Sequence, residues 1–216
     1  FTAANFKKEM HFGDITLDAA HLADATIAFF TPIGPKFEPV LSRVQALKSG
    51  ITTAITVEVQ AIDSIETLQH VVNERVDAMF INKADSLAVT GAKDLDAADE
   101  ILARFARLRF ITRGHEGSII RSELCDPVVL PVFNVKVVDR TGAGDAFAAG
   151  VLLKCHEIVE KGGPLLTQLD GMGPKDRHAM LEDLGIFGTA VAALKISLAR
   201  TPTRAEVAEF LKKNAL

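Results

Sequence analysis

The 216-residue chain contains no tryptophan and no tyrosine, only two cysteines, and no excess of positive charge. Each shortage removes a class of function. Cys125 and Cys155 are too few for a disulfide-stapled scaffold or a four-ligand zinc site, and both read as reduced, buried and inert. With 24 Lys and Arg against 28 Asp and Glu, the formal net charge of −4 lacks the basic footprint of a nucleic-acid binder. No apolar run reaches the roughly 20 residues of a membrane-spanning helix. The longest, Phe187 to Leu198, is interrupted by Lys195. The chain opens on Phe1 without a secretory pattern and does not end in Ser-Lys-Leu, so it reads as a cytoplasmic chain, either processed or part of something longer.

What is present reads as a folded α/β domain. Apolar residues make up 48% and charged residues 24%, a balance that excludes a disordered chain. Short β-rich runs alternate with helical stretches, the pattern of a layered domain with a largely parallel sheet. Strands are expected at Ala23–Phe30, Ile51–Val57, Val76–Ile81 and Arg109–Thr112. Helices are expected over Phe37–Lys48, from Ser64 to about Arg75, and over Leu95–Leu108. From Gly117 to Val138 the helical period is lost, and Ser118–Ser122, Val128–Val132 and Val135–Val138 read as short antiparallel strands. A helix from Asp145 to about Val159, a Gly- and Pro-rich loop from Gly162 to Pro174, and a long apolar helix over Asp176–Ala199 follow. Thr203 and Glu206 form a capping-box pattern for a last helix, Arg204–Lys213. No repeat or linker divides the chain, so a single domain over residues 1–216 is expected.

The chemistry concentrates in Val137-Val-Asp-Arg-Thr-Gly-Ala-Gly-Asp-Ala-Phe-Ala-Ala-Gly150. A strand ending at Asp139 and the small residues Gly142, Ala143 and Gly144 allow a tight turn into a helix. Successive N–H groups of such a turn, together with the positive end of the helix dipole, make an anion site. Asp145 places a carboxylate beside it, an arrangement suited to phosphoryl transfer onto a hydroxyl. The same residues also suit an ordinary Gly-rich turn with Asp145 as a helix cap. A dinucleotide loop would need glycine where Phe147 stands, and no Walker A sequence occurs.

The segment Asp139-Arg-Thr-Gly-Ala-Gly-Asp-Ala-Phe-Ala-Ala-Gly150 closely resembles the C-terminal signature of the ribokinase-like (PfkB) carbohydrate kinases. Asn82-Lys-Ala-Asp85, Ile111-Thr-Arg-Gly-His-Glu-Gly117 and Pro202-Thr-Arg-Ala-Glu-Val207 are similar to further family segments in the same order. The resemblance runs from about residue 14 to the end, and nothing in the chain corresponds to the family's N-terminal portion with its Gly-Gly segment and β-sheet lid. It implies a three-layer αβα sandwich and an ATP-dependent kinase for a sugar or nucleoside, with ribose, a ketohexose, a keto-deoxy sugar acid and adenosine all open.

By that resemblance, Asp145 would be the general base, and Gly142, Ala143 and Gly144 would supply the anion-hole amides. Asn82 and Asp85 would sit near the Mg2+–phosphate cluster through water, with Asp85 standing where the family has Glu. Thr112, Arg113, Gly114 and Gly117 would line the nucleotide. Thr189 would lie beside the adenine or serve as a small residue for helix packing. Asp139 and Thr141 would form the first half of a monovalent-cation (K+) site. The second half has no counterpart in the short Ser197–Pro202 stretch, which argues against potassium activation. Arg113 and His115 read as solvated loop residues, and Arg140 as pointing to solvent. In the family the lid often forms a homodimer, which the sequence leaves open here. Two other readings stand beside the kinase: a non-catalytic nucleotide- or partner-binding module, and a flavodoxin-like or dinucleotide-binding protein.

Overall fold

The computed structural model describes residues 18–47 and 50–214. Lys48, the expected end of the first helix, lies outside them, as do residues 1–17 and 215–216. The chain divides into two compact units, Phe1–Arg109 and Phe110–Leu216. The strands stand in chain order, β1 to β6.

The first unit carries β1 (Ile27–Phe30), β2 (Thr52–Thr56) and β3 (Val76–Asn82), a parallel ladder with Ile27 opposite Thr52 and Ala54 opposite Ala78. Every residue of β2 is buried, as its continuous β-branched run requires. Its helices are α1 (Glu38–Leu47), α2 (Ile65–Val71), α3 (Lys83–Thr90) and α4 (Leu95–Leu102). Ser64 caps α2 by accepting the Thr67 N–H, but the helix ends at Val71 rather than near Arg75 because the chain must straighten into β3. The sequence pattern gave no separate helix at α3.

The expected helix over Leu95–Leu108 is also shorter than predicted. It stops at Leu102, and β4 (Ala106–Thr112) begins three residues before the expected Arg109. Phe105, Ala106, Leu108, Phe110 and Ile111 are all buried, a density of apolar burial that a helix with one exposed face cannot provide. Arg109, only 3% exposed, is held by both carboxylate oxygens of Asp99 on α4, at 2.6 and 3.0 Å. A paired buried charge is tolerable where an unpaired one is not.

The second unit carries the antiparallel hairpin β5 (Ser118–Ser122) and β6 (Val128–Leu130), with Ser118 opposite Leu130. Four helices follow: α5 (Ala143–Gly162), α6 (Leu165–Gly171), α7 (Pro174–Leu198) and α8 (Arg204–Lys213). Most of the stretch expected as a loop, Gly162 to Pro174, is thus the short helix α6, with Leu165 and Leu169 buried. Cys155 is buried, its thiol pushed up to about 12 by desolvation, whereas Cys125 is only half-buried, contrary to expectation. Among the described residues no helix is long and apolar enough to cross a membrane.

Helices α5 and α7 meet backbone to backbone. A Cβ on Gly150 would lie 2.9 Å from the Cα of Gly188, and one on Gly188 would lie 2.6 Å from Val151 Cγ2 and 2.9 Å from the Phe147 carbonyl oxygen. Helix α8 begins with the expected capping box: Thr203 and Glu206 bond reciprocally, and Arg200 grips Glu206 at 3.0 and 2.5 Å. That guanidinium, with the Thr203 bonds, holds the Glu206 carboxyl down to about 2.

Gly188→Val is expected to force the two helices apart, costing on the order of 1–3 kcal/mol, read as a lowered urea midpoint. Because the Glu206 carboxyl is lowered in the folded state, its contribution should be full above its ordinary 4.5 and vanish as pH falls toward 2. Glu206→Gln should flatten that part of the acid-unfolding curve, and an unchanged curve would refute the assignment.

Candidate active site

The chain reaches the glycine-rich turn through residues 131–139, which form no strand. The strand expected at Val135–Val138 is absent: Val135 packs against helices, while Val137 and Val138 are exposed. Phe133 and Val135 pack with Ala190 and Leu194 of α7 and Val207 of α8, and the Phe133 ring meets Phe210 edge-on at 4.9 Å. The backbone bonds that a ladder would satisfy go to the end of α7 instead. The N–H groups of Val138 and Asp139 both donate to the Ile196 carbonyl, at 2.9 and 3.0 Å.

Asp139 Oδ1 then accepts the Thr141 N–H at 2.9 Å, closing the turn. Gly142 follows with φ +71, a left-handed conformation that side chains rarely adopt, and forms the N-cap of α5. The helix starts at Ala143, two residues before the expected Asp145. The Ala143 N–H turns back to the Arg140 carbonyl at 3.2 Å, and the helical ladder starts with Ala146 donating to Gly142 at 2.9 Å. The N–H groups of Gly144 and Asp145 fall among the orphan donors of the first turn. Asp145 lies in that turn and is exposed. Of the three small residues, only Gly142 needs its special backbone; Gly144 is helical, with nothing within 4 Å of a Cβ built there. Arg140 is exposed, as expected.

Lys195, which no motif in the sequence marks, also belongs to this site. Its side chain is 16% exposed, and its ammonium donates to the Thr141 carbonyl and stands 3.5 Å from Asp139 Oδ2. A Cβ on Gly142 would lie 3.7 Å from Asp145 Oδ2 and 4.0 Å from Lys195 Nζ, so carboxylate and ammonium flank the turn. The Asp139 carboxyl is held below its ordinary value, first by the Thr141 N–H and hydroxyl and then by Lys195. The signal in the sequence was a lone cation inside an apolar run.

A largely apolar cleft of about 180 Å3 opens beside the turn. It brings together Thr112, Gly114, Gly117, Ala143, Gly144 and Thr189, with Ser118, Phe133 and Phe147 completing the wall. Gly117 has φ +85, and a Cβ there would strike the Leu130 carbonyl oxygen at 2.0 Å, so position 117 tolerates no side chain. Thr189 is 8% exposed and spends its hydroxyl on the Gly185 carbonyl at 2.8 Å. Arg113 does not line the cleft; its Nη2 donates to the Glu116 carbonyl and its Nε is buried without a partner. His115 is exposed.

Asn82 and Asp85 belong to the first unit, where they hold each other. Asn82 caps α3 by accepting the Asp85 N–H at 2.8 Å, and its amide donates to Asp85 Oδ2 at 2.9 Å. Among the described residues no group of three or more His, Cys, Asp or Glu could hold a metal, so a cation here would keep most of its water.

The family model for pfkB family carbohydrate kinases matches residues 38–206. A cytidine kinase of Thermococcus kodakarensis is 32% identical over 143 residues, 65% of this chain and 51% of that protein. Two solved structures share the fold. Adenosine kinase from Sinorhizobium meliloti superposes with a TM-score of 0.68 at 24% identity, over 95% of this chain and 58% of that one. Ribokinase from Giardia lamblia gives 0.68 at 19% identity, over 90% and 62%. The chain therefore spans about half the length of its curated relative.

The two glycines of the turn should respond differently to substitution. Gly142→Ala must hold a left-handed conformation, at a cost of about 1–2 kcal/mol. Gly144→Ala sits in a helix with open space around it and should leave stability unchanged or slightly raised. Chemical denaturation of both variants tests the turn, and equal losses would contradict it.

Proposed function

The chain belongs to the pfkB family of carbohydrate kinases, and from that premise we propose that it moves the γ-phosphate of ATP to a hydroxyl of a sugar or nucleoside. One observation carries the reading: Ala143 and Gly144, in the first turn of α5, border the same cleft as Thr112, Gly114, Gly117 and Thr189, and the exposed carboxylate of Asp145 stands in that turn beside it. That combination suits a nucleotide whose base lies in an apolar cleft and whose phosphates reach a helix N-terminus.

In this reading Asp145 is the general base, taking the acceptor's proton as the oxygen attacks phosphorus. The turn Gly142–Gly144, apart from the Ala143 N–H that the Arg140 carbonyl takes, supplies N–H groups for the charge that develops on the transferring phosphoryl group, where preorganised donors act most strongly. Thr112, Gly114 and Gly117 border the phosphates and ribose; Thr189 borders the base. Arg113, tied back to Glu116, supports the loop. In the first unit, Asn82 and Asp85 suit a hydrated Mg2+, a cation that would supply charge neutralisation to a phosphate when bound. The similarity to a cytidine kinase and the fold shared with adenosine kinase and ribokinase make a ribose-bearing acceptor the first to test.

The deciding assay is phosphate transfer from Mg-ATP to cytidine, adenosine, ribose and fructose. Turnover is expected on one of them. Asp145→Asn should lower kcat by about 10²–10⁴-fold while leaving ATP affinity within a few-fold, because a base acts mainly in the transition state. Near-normal turnover in that variant would remove Asp145 from the mechanism. ATP binding without turnover on any acceptor would instead make the chain a nucleotide-binding module.

A further inference from the structure

Lys195 stands at the two residues that resemble half of a monovalent-cation site. Asp139 and Thr141 were the residues matched to half of a monovalent-cation site. In the structure, the Lys195 ammonium takes the Thr141 carbonyl and lies 3.5 Å from Asp139 Oδ2. A carbonyl and a carboxylate are the oxygens a small hard cation would seek, and an ammonium with three N–H donors satisfies the same pair. Two oxygens of the stretch that would have to supply the other half of a K+ site are already hydrogen-bonded. In the stretch Ser197–Pro202, the Ser197 hydroxyl donates to the Leu194 carbonyl, and the Thr201 carbonyl accepts from Arg200, which also grips Glu206. The donor set present does not fit a free monovalent ion.

The placement is built rather than incidental. Lys195 lies in the last turns of α7, and the next residue, Ile196, takes the N–H groups of Val138 and Asp139 on its carbonyl. The ammonium and this carbonyl grip the four-residue stretch Val138–Thr141 from one end of one helix. Beyond Thr141 the chain has only Gly142 before the N–H groups of α5 begin.

We propose that Lys195 is a tethered cation, a positioning residue that neutralises Asp139 and anchors the Thr141 carbonyl. It thereby sets the turn that opens α5 and makes the chain independent of monovalent cations. The catalytic consequence rests on the kinase reading above; the cation consequence does not.

The test uses the full chain with K+ and choline compared at equal ionic strength. For the wild type, the unfolding temperature and ATP affinity should be the same in both salts. Lys195→Met should weaken ATP binding in choline, and K+ or ammonium should restore affinity and raise the unfolding temperature, as a bound ligand must. Where turnover is measurable, the variant's kcat should fall on the order of 10²-fold with the acceptor KM little changed, and recover in K+. Lys195→Arg, which keeps the charge, should remain independent of K+. Wild-type protein that gains stability or affinity from K+ over choline overturns the proposal, as does a Lys195→Met variant indifferent to every cation. If that variant fails to fold, the wild-type and Lys195→Arg comparisons still decide. Absence of wild-type turnover with intact ATP binding would count against the kinase reading alone, since melting and binding report the cation independently.

Discussion

The contact between Gly150 and Gly188 is the constraint on which the second unit depends. Two helices can approach this closely only where neither carries a side chain, and each residue's missing Cβ is filled by the other helix's atoms. From that crossing, the same two helices run to the candidate site. Gly188 and Lys195 are seven residues apart, about two helical turns, so they share one face of α7. Gly150 and the N-cap Gly142 are separated by a similar length of α5. Packing at the crossing thus determines whether the Lys195 ammonium and the Ile196 carbonyl meet the segment leading into the turn. A methyl group added at the crossing would be felt about 10 Å away, because packed helices move as rigid rods rather than bending locally.

The site separates two carboxylates that the sequence places six residues apart. Asp139 is spent on structure: its oxygens take the Thr141 N–H and the lysine, and its charge is balanced. Asp145 is exposed in the first turn of α5. A carboxylate left near a helix N-terminus is stabilised by the dipole yet remains open to an incoming hydroxyl. In the proposed reaction, an unpaired Asp139 would oppose the approach of phosphate to the same turn. The lysine therefore acts on the electrostatics of the cleft as well as on its shape.

Legibility in the sequence followed the range of the interaction. The capping box of Thr203 and Glu206 was read correctly because it is complete within four residues. The Gly142 turn was read from its composition, though the helix start was misplaced by two residues, since Ala143 and Gly144 are as compatible with a first helical turn as with a loop. The helix expected over Leu95–Leu108 ends early because its periodicity runs into a segment whose partners are remote: the Ala106 carbonyl accepts from Arg75 across 31 residues of chain. Val135–Val138 has strand composition, but its Val138 N–H goes to the end of α7 rather than to a strand. Lys195 escaped notice because its contact spans 54 residues, and nothing local marks a lysine in an apolar helix as other than a tolerated exception.

A cation delivered by a helix differs physically from one drawn from solution. Its local concentration is fixed by the fold, so the neutralisation of Asp139 does not follow the ionic composition outside. The pair lies mostly out of water on the lysine side, where screening by salt is weaker than at an exposed surface. The tether also converts a binding equilibrium into a packing requirement. A soluble ion could enter a slightly distorted turn and adjust its coordination, whereas the lysine reaches the Thr141 carbonyl only if α7 is seated against α5. The geometry of the turn and the seating of the helices thereby become one cooperative event. In such an arrangement a defect at Gly188 and a defect at Lys195 would disturb the same turn by different routes: the first by moving the helix that carries the charge, the second by removing the charge from a correctly placed helix.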